Sequence, residues 1–167
     1  MSEEHLPEIE FEHEDFDFTT LEEELRVDEL CQSLLKQFYQ HLQLIGRPPQ
    51  QASDLAYAVD FYLRDYVLDF ARQNVVRPQP GIIRRFAANW YIMHTLDPEA
   101  AVLERSLEGI KEFYRFLHGR HFICREELTW LEKEAAQIGY YRQRIENFIA
   151  IYGDGYVAWE ADCPLNG

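Results

Sequence analysis

The chain has 167 residues, of which 47% are hydrophobic and 14% aromatic, and a formal net charge of −14. This length fits one ordinary domain with a real core, and the apolar content excludes a chain that is disordered throughout. No apolar run approaches the roughly 18 residues that a membrane helix needs, and the three cysteines cannot all pair. We therefore expect a cytoplasmic protein in a reducing compartment, with no membrane as a partner.

The negative charge is concentrated near the amino terminus. Residues 1–28 hold twelve carboxylates against one arginine, whereas residues 29–167 hold eighteen acidic and fifteen basic residues. We treat residues 1–19 as an acidic leader, because repelling carboxylates favour a solvated, flexible tail. Its aromatic residues favour the other interpretation, a segment that docks on a basic, apolar groove of this chain or of a partner. The candidate docking residues are Phe11, Phe16 and Phe18.

Helical periodicity predicts the first elements of a domain that spans residues 20–152. The first helix begins at a Thr-x-x-Glu capping box formed by Thr20 and Glu23, and it ends at Gly46 ahead of two prolines. Its apolar residues are spaced three and four apart. They are Val27, Leu30, Cys31, Leu34, Leu35, Phe38, Leu42 and Ile45. A second helix is expected to start with Ser53 as its cap and to run to about residue 72.

Four further helices are predicted in chain order. The third carries an apolar stripe over residues 82–93, and the fourth starts at an Asp-Pro-Glu cap at residues 97–99 and ends at Gly119. The fifth starts near Arg125, and a sixth follows it. Residues 153–167 show little periodicity, and we expect this tail to pack on the domain as an extended segment. The sequence therefore predicts an all-α fold, a single compact bundle of about six helices.

Two helical phrases repeat the same apolar pattern. Residues 35–42 read LKQFYQHL and residues 110–117 read IKEFYRFL. With the order of helices over residues 31–123, these phrases resemble the helical core-binding, SAM-like domain at the amino terminus of tyrosine recombinases and phage integrases. The resemblance implies a SAM-like arrangement of helices and an association with DNA. Nothing after residue 123 resembles the catalytic half of those enzymes, with its arginines, His-x-x-Arg motif and tyrosine nucleophile, so it does not imply DNA cleavage.

Arginine is the main basic residue of the central body, and residues 71–85 hold four arginines and no acid. Its forked guanidinium suits phosphate and carboxylate groups. Three interpretations stay open: a solvated face with local ion pairs, a surface that receives the acidic leader within the chain or in a dimer, and a surface for nucleic-acid backbones, where the leader would compete with phosphate. The candidate interaction residues are Arg72, Arg77, Arg84, Arg85, Arg115 and Arg120.

His118, His121 and Cys124 stand three residues apart, a spacing that raises the possibility of a zinc site. A structural zinc site needs four ligands, and Cys163 is the only further thiol candidate. We interpret the two histidines instead as residues that suit the negative end of a helix dipole. We therefore expect neither a metal nor another cofactor. No phosphate-binding loop or nucleophile elbow is present, so no catalytic residue is predicted.

These observations predict a non-catalytic helical interaction module that contacts a protein partner, or a second copy of itself as a homodimer, through the leader and the arginines. The alternative is a nucleic-acid-associated protein related to recombinase core-binding domains. A second alternative is an enzyme or small-ligand binder with an aromatic pocket. The candidate pocket residues are Tyr62, Tyr66, Trp90, Tyr91 and Tyr114.

Overall fold

The computed structural model describes residues 11–151 and 155–162, and within them every regular element is a helix. A 3-10 turn (His13–Phe16) precedes α1 (Leu21–Leu44). Helix α2 (Pro49–Asp60) continues into a π-helical segment, π1 (Phe61–Phe70). A second π-helical segment, π2 (Phe86–Trp90), joins α3 (Ile82–Arg85) to α4 (Tyr91–His94). The carboxyl half contains α5 (Ala100–Gly119), α6 (Arg125–Ala135), α7 (Ile138–Ile149) and α8 (Gly155–Ala161). The predicted all-α class is confirmed.

Both predicted ends of α1 are present. The Thr20 hydroxyl accepts a hydrogen bond from the backbone N–H of Glu23 at 3.1 Å and donates one to the Glu23 carboxylate at 3.1 Å. Gly46 follows the helix with a φ of 100°, a left-handed conformation that favours glycine. Because α1 is fixed at both ends, its first turn holds the leader beside the domain.

Helix α2 begins earlier than the sequence analysis predicts. Its first residue is Pro49, where a proline has no N–H to leave unpaired and already has a helical φ. The Pro48 carbonyl accepts the N–H of Ala52 at 2.9 Å, so the helix is hydrogen-bonded from this point. The prediction that Ser53 caps α2 is wrong, since Ser53 lies inside the helix.

The two phrases that repeat in the sequence pack against each other, one on α1 and one on α5. The rings of Phe38 and Phe113 meet edge to face with centroids 5.4 Å apart, a favoured aromatic geometry. The tyrosines that follow them differ. Tyr39 is half-buried, whereas Tyr114 is buried and its hydroxyl lies 2.7 Å from that of Tyr62. The repeated pattern therefore supplies two facing surfaces of one core.

Each π-helical segment stacks two aromatic residues that are four positions apart in the sequence. A π-helix has i→i+5 hydrogen bonds, so its turns are wider than those of an α-helix. On π1 the rings of Tyr62 and Tyr66 lie 5.7 Å apart, and on π2 those of Phe86 and Trp90 lie 5.9 Å apart. Tyr62 meets Phe86 edge to face at 5.0 Å. This interlocked set of rings joins π1 to π2.

Trp159 holds α8 against α7. Its indole N–H donates to the Arg144 carbonyl at 2.9 Å, and the buried Arg144 guanidinium lies 3.8 Å from the ring centroid. The same guanidinium donates to the carbonyls of Ala88 and Trp159. The prediction of an extended tail is therefore wrong for residues 155–161. Cys163 and residues 1–10 of the leader lie outside the described residues.

Candidate interaction site

The described part of the leader, residues 11–19, lies against the helical domain. Its 3-10 turn is stabilised by the Asp15 carboxylate, which accepts the N–H of Glu12 at 2.9 Å. The turn places Phe16 in the core, where its side chain is fully buried. The Phe16 ring lies 5.5 Å from that of Phe11 and 6.3 Å from that of Phe122. Phe16 is thus the apolar anchor of the leader.

Phe18 packs at the edge of the core and also contacts a cation. The guanidinium of Arg72 lies 5.1 Å from the centroid of the half-buried Phe18 ring, within the range of a cation–π interaction. Arg72 also forms an ion pair with Glu24 at 3.2 Å. Its φ of 53° is left-handed, which turns the chain out of π1 toward the leader.

Asn74 is the main polar contact of the leader. Its amide nitrogen donates to the His13 carbonyl at 2.9 Å and to the Asp17 carboxylate at 2.8 Å. The amide oxygen accepts the N–H of Val76 at 2.9 Å. This last bond fixes the orientation of the amide through the loop backbone, so its two donors are held ready for the leader.

His13 and Glu14 complete the contact. The His13 Nε2 atom lies 2.7 Å from the Phe122 carbonyl oxygen, so Nε2 carries the hydrogen and donates. Glu14 pairs with Arg77 at 3.1 Å, but both side chains are substantially exposed, and such a pair contributes at most about 1 kcal/mol. The site therefore holds the leader mainly through one buried ring and through directed hydrogen bonds to the His13 carbonyl, the His13 ring and the Asp17 carboxylate.

The six candidate arginines do not form one surface. Arg72 and Arg77 lie at the leader, whereas Arg115 pairs with Glu112 at 3.2 Å and with Glu132 at 3.3 Å. These carboxylates raise the pKa of the Arg115 guanidinium, with the hydrogen bond to Glu132 as the largest cause. Arg115 therefore links α5 to α6 and is already neutralised within the chain.

The other three candidate arginines have different surroundings. Arg120 donates to the Gln37 side chain at 3.0 Å and lies 5.0 Å from the Phe116 ring centroid. Arg84 lies 4.6 Å from the ring centroid of Tyr140. Arg85 is exposed and forms no ion pair with any described residue. The arginines that cluster in the sequence are thus distributed over several faces.

The candidate metal ligands line a shared depression. His118, His121 and Cys124 border an open cavity of about 640 Å³ together with His13 and Glu127. Across the described residues no group of three or more histidine, cysteine, aspartate or glutamate side chains is arranged to hold a metal ion. The Cys124 Sγ atom instead caps α6 by accepting the N–H of Glu127 at 3.5 Å. Cys124 thus has a structural contact at the start of α6.

The residues of the predicted aromatic pocket pack as core. All five side chains are at least nine-tenths buried, and the largest described cavities are lined by other residues. Burial raises the pKa of the Tyr62 hydroxyl well above its ordinary value, and the neighbouring Tyr114 hydroxyl adds to this effect. Both phenols are therefore neutral at physiological pH. Their mutual hydrogen bond satisfies two buried polar groups rather than activating either one.

Sequence reasoning missed Asn74 and the Phe122 carbonyl. Asn74 lies in the acid-free stretch 71–85, and an asparagine between a helix end and a proline-containing loop is a residue that often fixes local backbone. That signal was available in the sequence. A backbone carbonyl carries no signal of this kind, because every residue has one.

No family model matches the chain, and neither the curated proteins nor the solved structures contain a match to it. Within the described residues, no helix is long and apolar enough to cross a membrane.

Proposed function

We propose that the chain is a non-catalytic helical interaction module that binds acidic, aromatic protein segments, with its own leader occupying the site until a partner segment replaces it. The observation that carries this proposal is the docking of residues 11–19. The domain buries Phe16, donates a hydrogen bond from Asn74 to the His13 carbonyl, accepts one from the His13 side chain at the Phe122 carbonyl, and pairs Arg77 with Glu14. These are the contacts that a linear motif makes with its receptor.

The pattern of contacts explains how a partner segment could replace the leader. The domain contacts the leader's His13 carbonyl and its aromatic rings, which any segment with phenylalanines spaced as at positions 11, 16 and 18 presents. The leader's ion pair, between Glu14 and Arg77, is exposed and weak, so it favours acidic segments without locking one in place. The affinity therefore comes mostly from the ring that fills the Phe16 position.

The ion pairs of the arginines favour a protein segment over a nucleic acid. Binding to a phosphate backbone draws on several unpaired cations along one face. Arg72, Arg77 and Arg115 already have carboxylate partners, and the candidate arginines lie on different faces. A protein segment that carries its own carboxylates replaces the Glu14 carboxylate at Arg77 with another carboxylate. A nucleic acid would first have to displace the leader.

A labelled peptide of residues 11–19, FEHEDFDFT, tests the proposal by fluorescence anisotropy. The receptor is the full chain carrying Phe16→Ala, which weakens the docking of its own leader. We expect this variant to bind the peptide about tenfold more tightly than the wild-type chain does, because the competing leader is released. Circular dichroism checks that the variant retains its helices.

A charge reversal supplies the matched control. Arg77→Glu in the Phe16→Ala background should weaken peptide binding about fivefold, whereas Arg105→Glu, an exposed arginine without an ion pair to a described residue, should leave it unchanged. Equal peptide affinity in the wild-type and Phe16→Ala chains would refute the proposal. Tighter binding of the Phe16→Ala chain to a DNA duplex at low salt than to the peptide would favour the nucleic-acid alternative instead.

A further inference from the structure

A second surface, on the side of π1 and α4, carries the exposed rings of Phe70 and His94 next to the buried Trp90. Phe70 is 60% exposed and its ring lies 5.8 Å from that of His94 and 6.1 Å from that of Trp90. His94 stacks on Trp90 with centroids 4.5 Å apart, and the half-buried Phe61 lies 5.3 Å from Trp90 on the other side. We call Phe61, Phe70, Trp90 and His94 the aromatic face.

Two apolar residues near the end of α4 are also exposed: Met93, whose sulfur accepts a hydrogen bond from the Tyr156 hydroxyl at 3.4 Å, and Leu96, two residues beyond the helix. Single exposed apolar residues are ordinary, but a group of rings in mutual contact with neighbouring aliphatic side chains marks a binding surface. The stacked geometry is already in place without a partner, so binding here needs little ordering of side chains.

The charges around the aromatic face are mainly negative. Asp65 and Asp69 are exposed on π1. Asp65 follows Phe61 by four positions, Asp69 directly precedes Phe70, and Asp97 follows the end of α4. None of these three carboxylates forms an ion pair with a described residue.

The carboxylates of π1 repel one another. The pKa of Asp65 is raised above its ordinary value, first by partial burial and then by the charges of Asp60, Asp69 and Asp28. Arg64 lowers it, but this guanidinium already makes ion pairs with Asp28 at 2.8 Å and Asp60 at 3.1 Å. A further cation placed at Asp65 and Asp69 would therefore be stabilised.

We propose that the aromatic face binds a basic amphipathic segment of another protein, with an apolar side chain against Phe70 and His94 and lysine or arginine side chains at Asp65 and Asp69. The chemistry of this surface is the reverse of that at the leader site. There the domain supplies cations to an acidic segment, whereas here it supplies carboxylates to a basic one.

Charge also decides against a second copy of the chain as the occupant. A two-fold dimer through this face would bring the same patch of each copy together, and so would set Asp65 and Asp69 near the same carboxylates of the other copy. Like charges brought together across an interface disfavour binding. A nucleic acid is disfavoured for the same reason. A basic protein segment relieves the repulsion that either of these would increase.

The test uses the full chain and two labelled helical peptides of equal length, one with leucines on one face and lysines elsewhere, and one with glutamates in place of the lysines. We expect the lysine peptide to bind and the glutamate peptide not to bind. Phe70→Ser should weaken binding of the lysine peptide about tenfold through loss of the ring contact. Asp65→Asn with Asp69→Asn should weaken it and flatten its salt dependence.

Matched controls separate this face from the general negative charge of the chain. Tyr57→Ser removes an aromatic residue that is 77% exposed on α2, and Asp54→Asn removes an exposed carboxylate on the same helix. Both should leave the affinity for the lysine peptide unchanged. The proposal is overturned if these controls weaken binding as much as the variants at the face do, or if the lysine peptide does not bind. It is also overturned if sedimentation shows a wild-type dimer that Phe70→Ser dissociates, because a second copy would then occupy the face.

Discussion

At the leader site, rings and carboxylates of residues 11–19 meet a domain surface that supplies an amide, a carbonyl and two arginines. At the aromatic face, the domain itself supplies both the rings and the carboxylates, and no described segment lies on them. The charges at the leader site are neutralised within the chain, because the leader is acidic and the domain supplies arginines there. At the aromatic face, the carboxylates would repel an acidic segment such as the leader. Charge, rather than apolar area alone, thus separates an occupied surface from a free one.

The largest effect that tests this comparison is expected from the two phenylalanines. Phe16→Ala should lower the free energy of unfolding by about 3 kcal/mol, because it removes a fully buried ring and leaves a cavity. Phe70→Ala should lower it by less than about 1 kcal/mol, since this ring is mostly in solvent already. Urea unfolding followed by circular dichroism measures both values.

Similar losses for Phe16→Ala and Phe70→Ala would contradict the comparison. A loss of only a few tenths of a kcal/mol for Phe16→Ala, well below the range for buried aromatic residues, would mean that the leader adds little to the fold. In that case the leader would be a loosely held tail, as the solvated interpretation of its carboxylates predicts.

Local sequence signals predicted part of this arrangement. The Thr20 capping box and Gly46 were readable because each depends on a few neighbouring residues. The leader's phenylalanines suggested docking as one of two interpretations. The receptor was not predictable, because Asn74 and Phe122 lie 61 and 109 residues from His13 along the chain and meet it only after folding.

Two elements escaped the sequence analysis for tertiary reasons. Segments π1 and π2 arise where rings such as Tyr62 and Phe86 interlock, and periodicity does not specify the width of a helical turn. Helix α8 depends on Trp159 meeting the buried Arg144. The four arginines of residues 71–85 do not form one surface, because Arg84 and Arg85 lie on α3 whereas Arg72 and Arg77 lie in the loop that contacts the leader.

The next effect in size concerns the polar contact of the leader. Asn74→Ala should lower the free energy of unfolding by about 1–2 kcal/mol, because it removes two hydrogen bonds to the leader and one to the loop. Gln50→Ala is the control, since its amide bonds only to the exposed Asp54 at 3.0 Å. Its effect should stay within about 0.5 kcal/mol. Equal losses in the two variants would show that Asn74 has no special role.

A smaller effect, of opposite sign, is expected at the aromatic face. Asp65→Asn should raise the free energy of unfolding at neutral pH, by less than about 0.5 kcal/mol because the carboxylate is exposed and screened. The folded-state pKa of Asp65 is raised above its unfolded value, so the destabilisation grows as the pH rises through the unfolded pKa and is complete above the folded pKa. The gain should vanish as the pH falls below the unfolded value. A gain that persists in acid, or that Asp54→Asn reproduces, would exclude repulsion on π1 as its cause.

The smallest effect concerns the ion pair between Arg77 and Glu14. A double-mutant cycle with Arg77→Ala and Glu14→Ala should give a coupling energy below about 0.5 kcal/mol that decreases further at high salt. The reason is exposure: the two side chains keep 46% and 72% of their surface in solvent. A coupling above about 1 kcal/mol, beyond the usual range for exposed pairs, would mean that the leader is held mainly by charge. Exchange with a partner segment would then depend on the salt concentration more than on the ring at position 16. The ion pair, rather than the buried ring, would be the larger contribution to binding at this site.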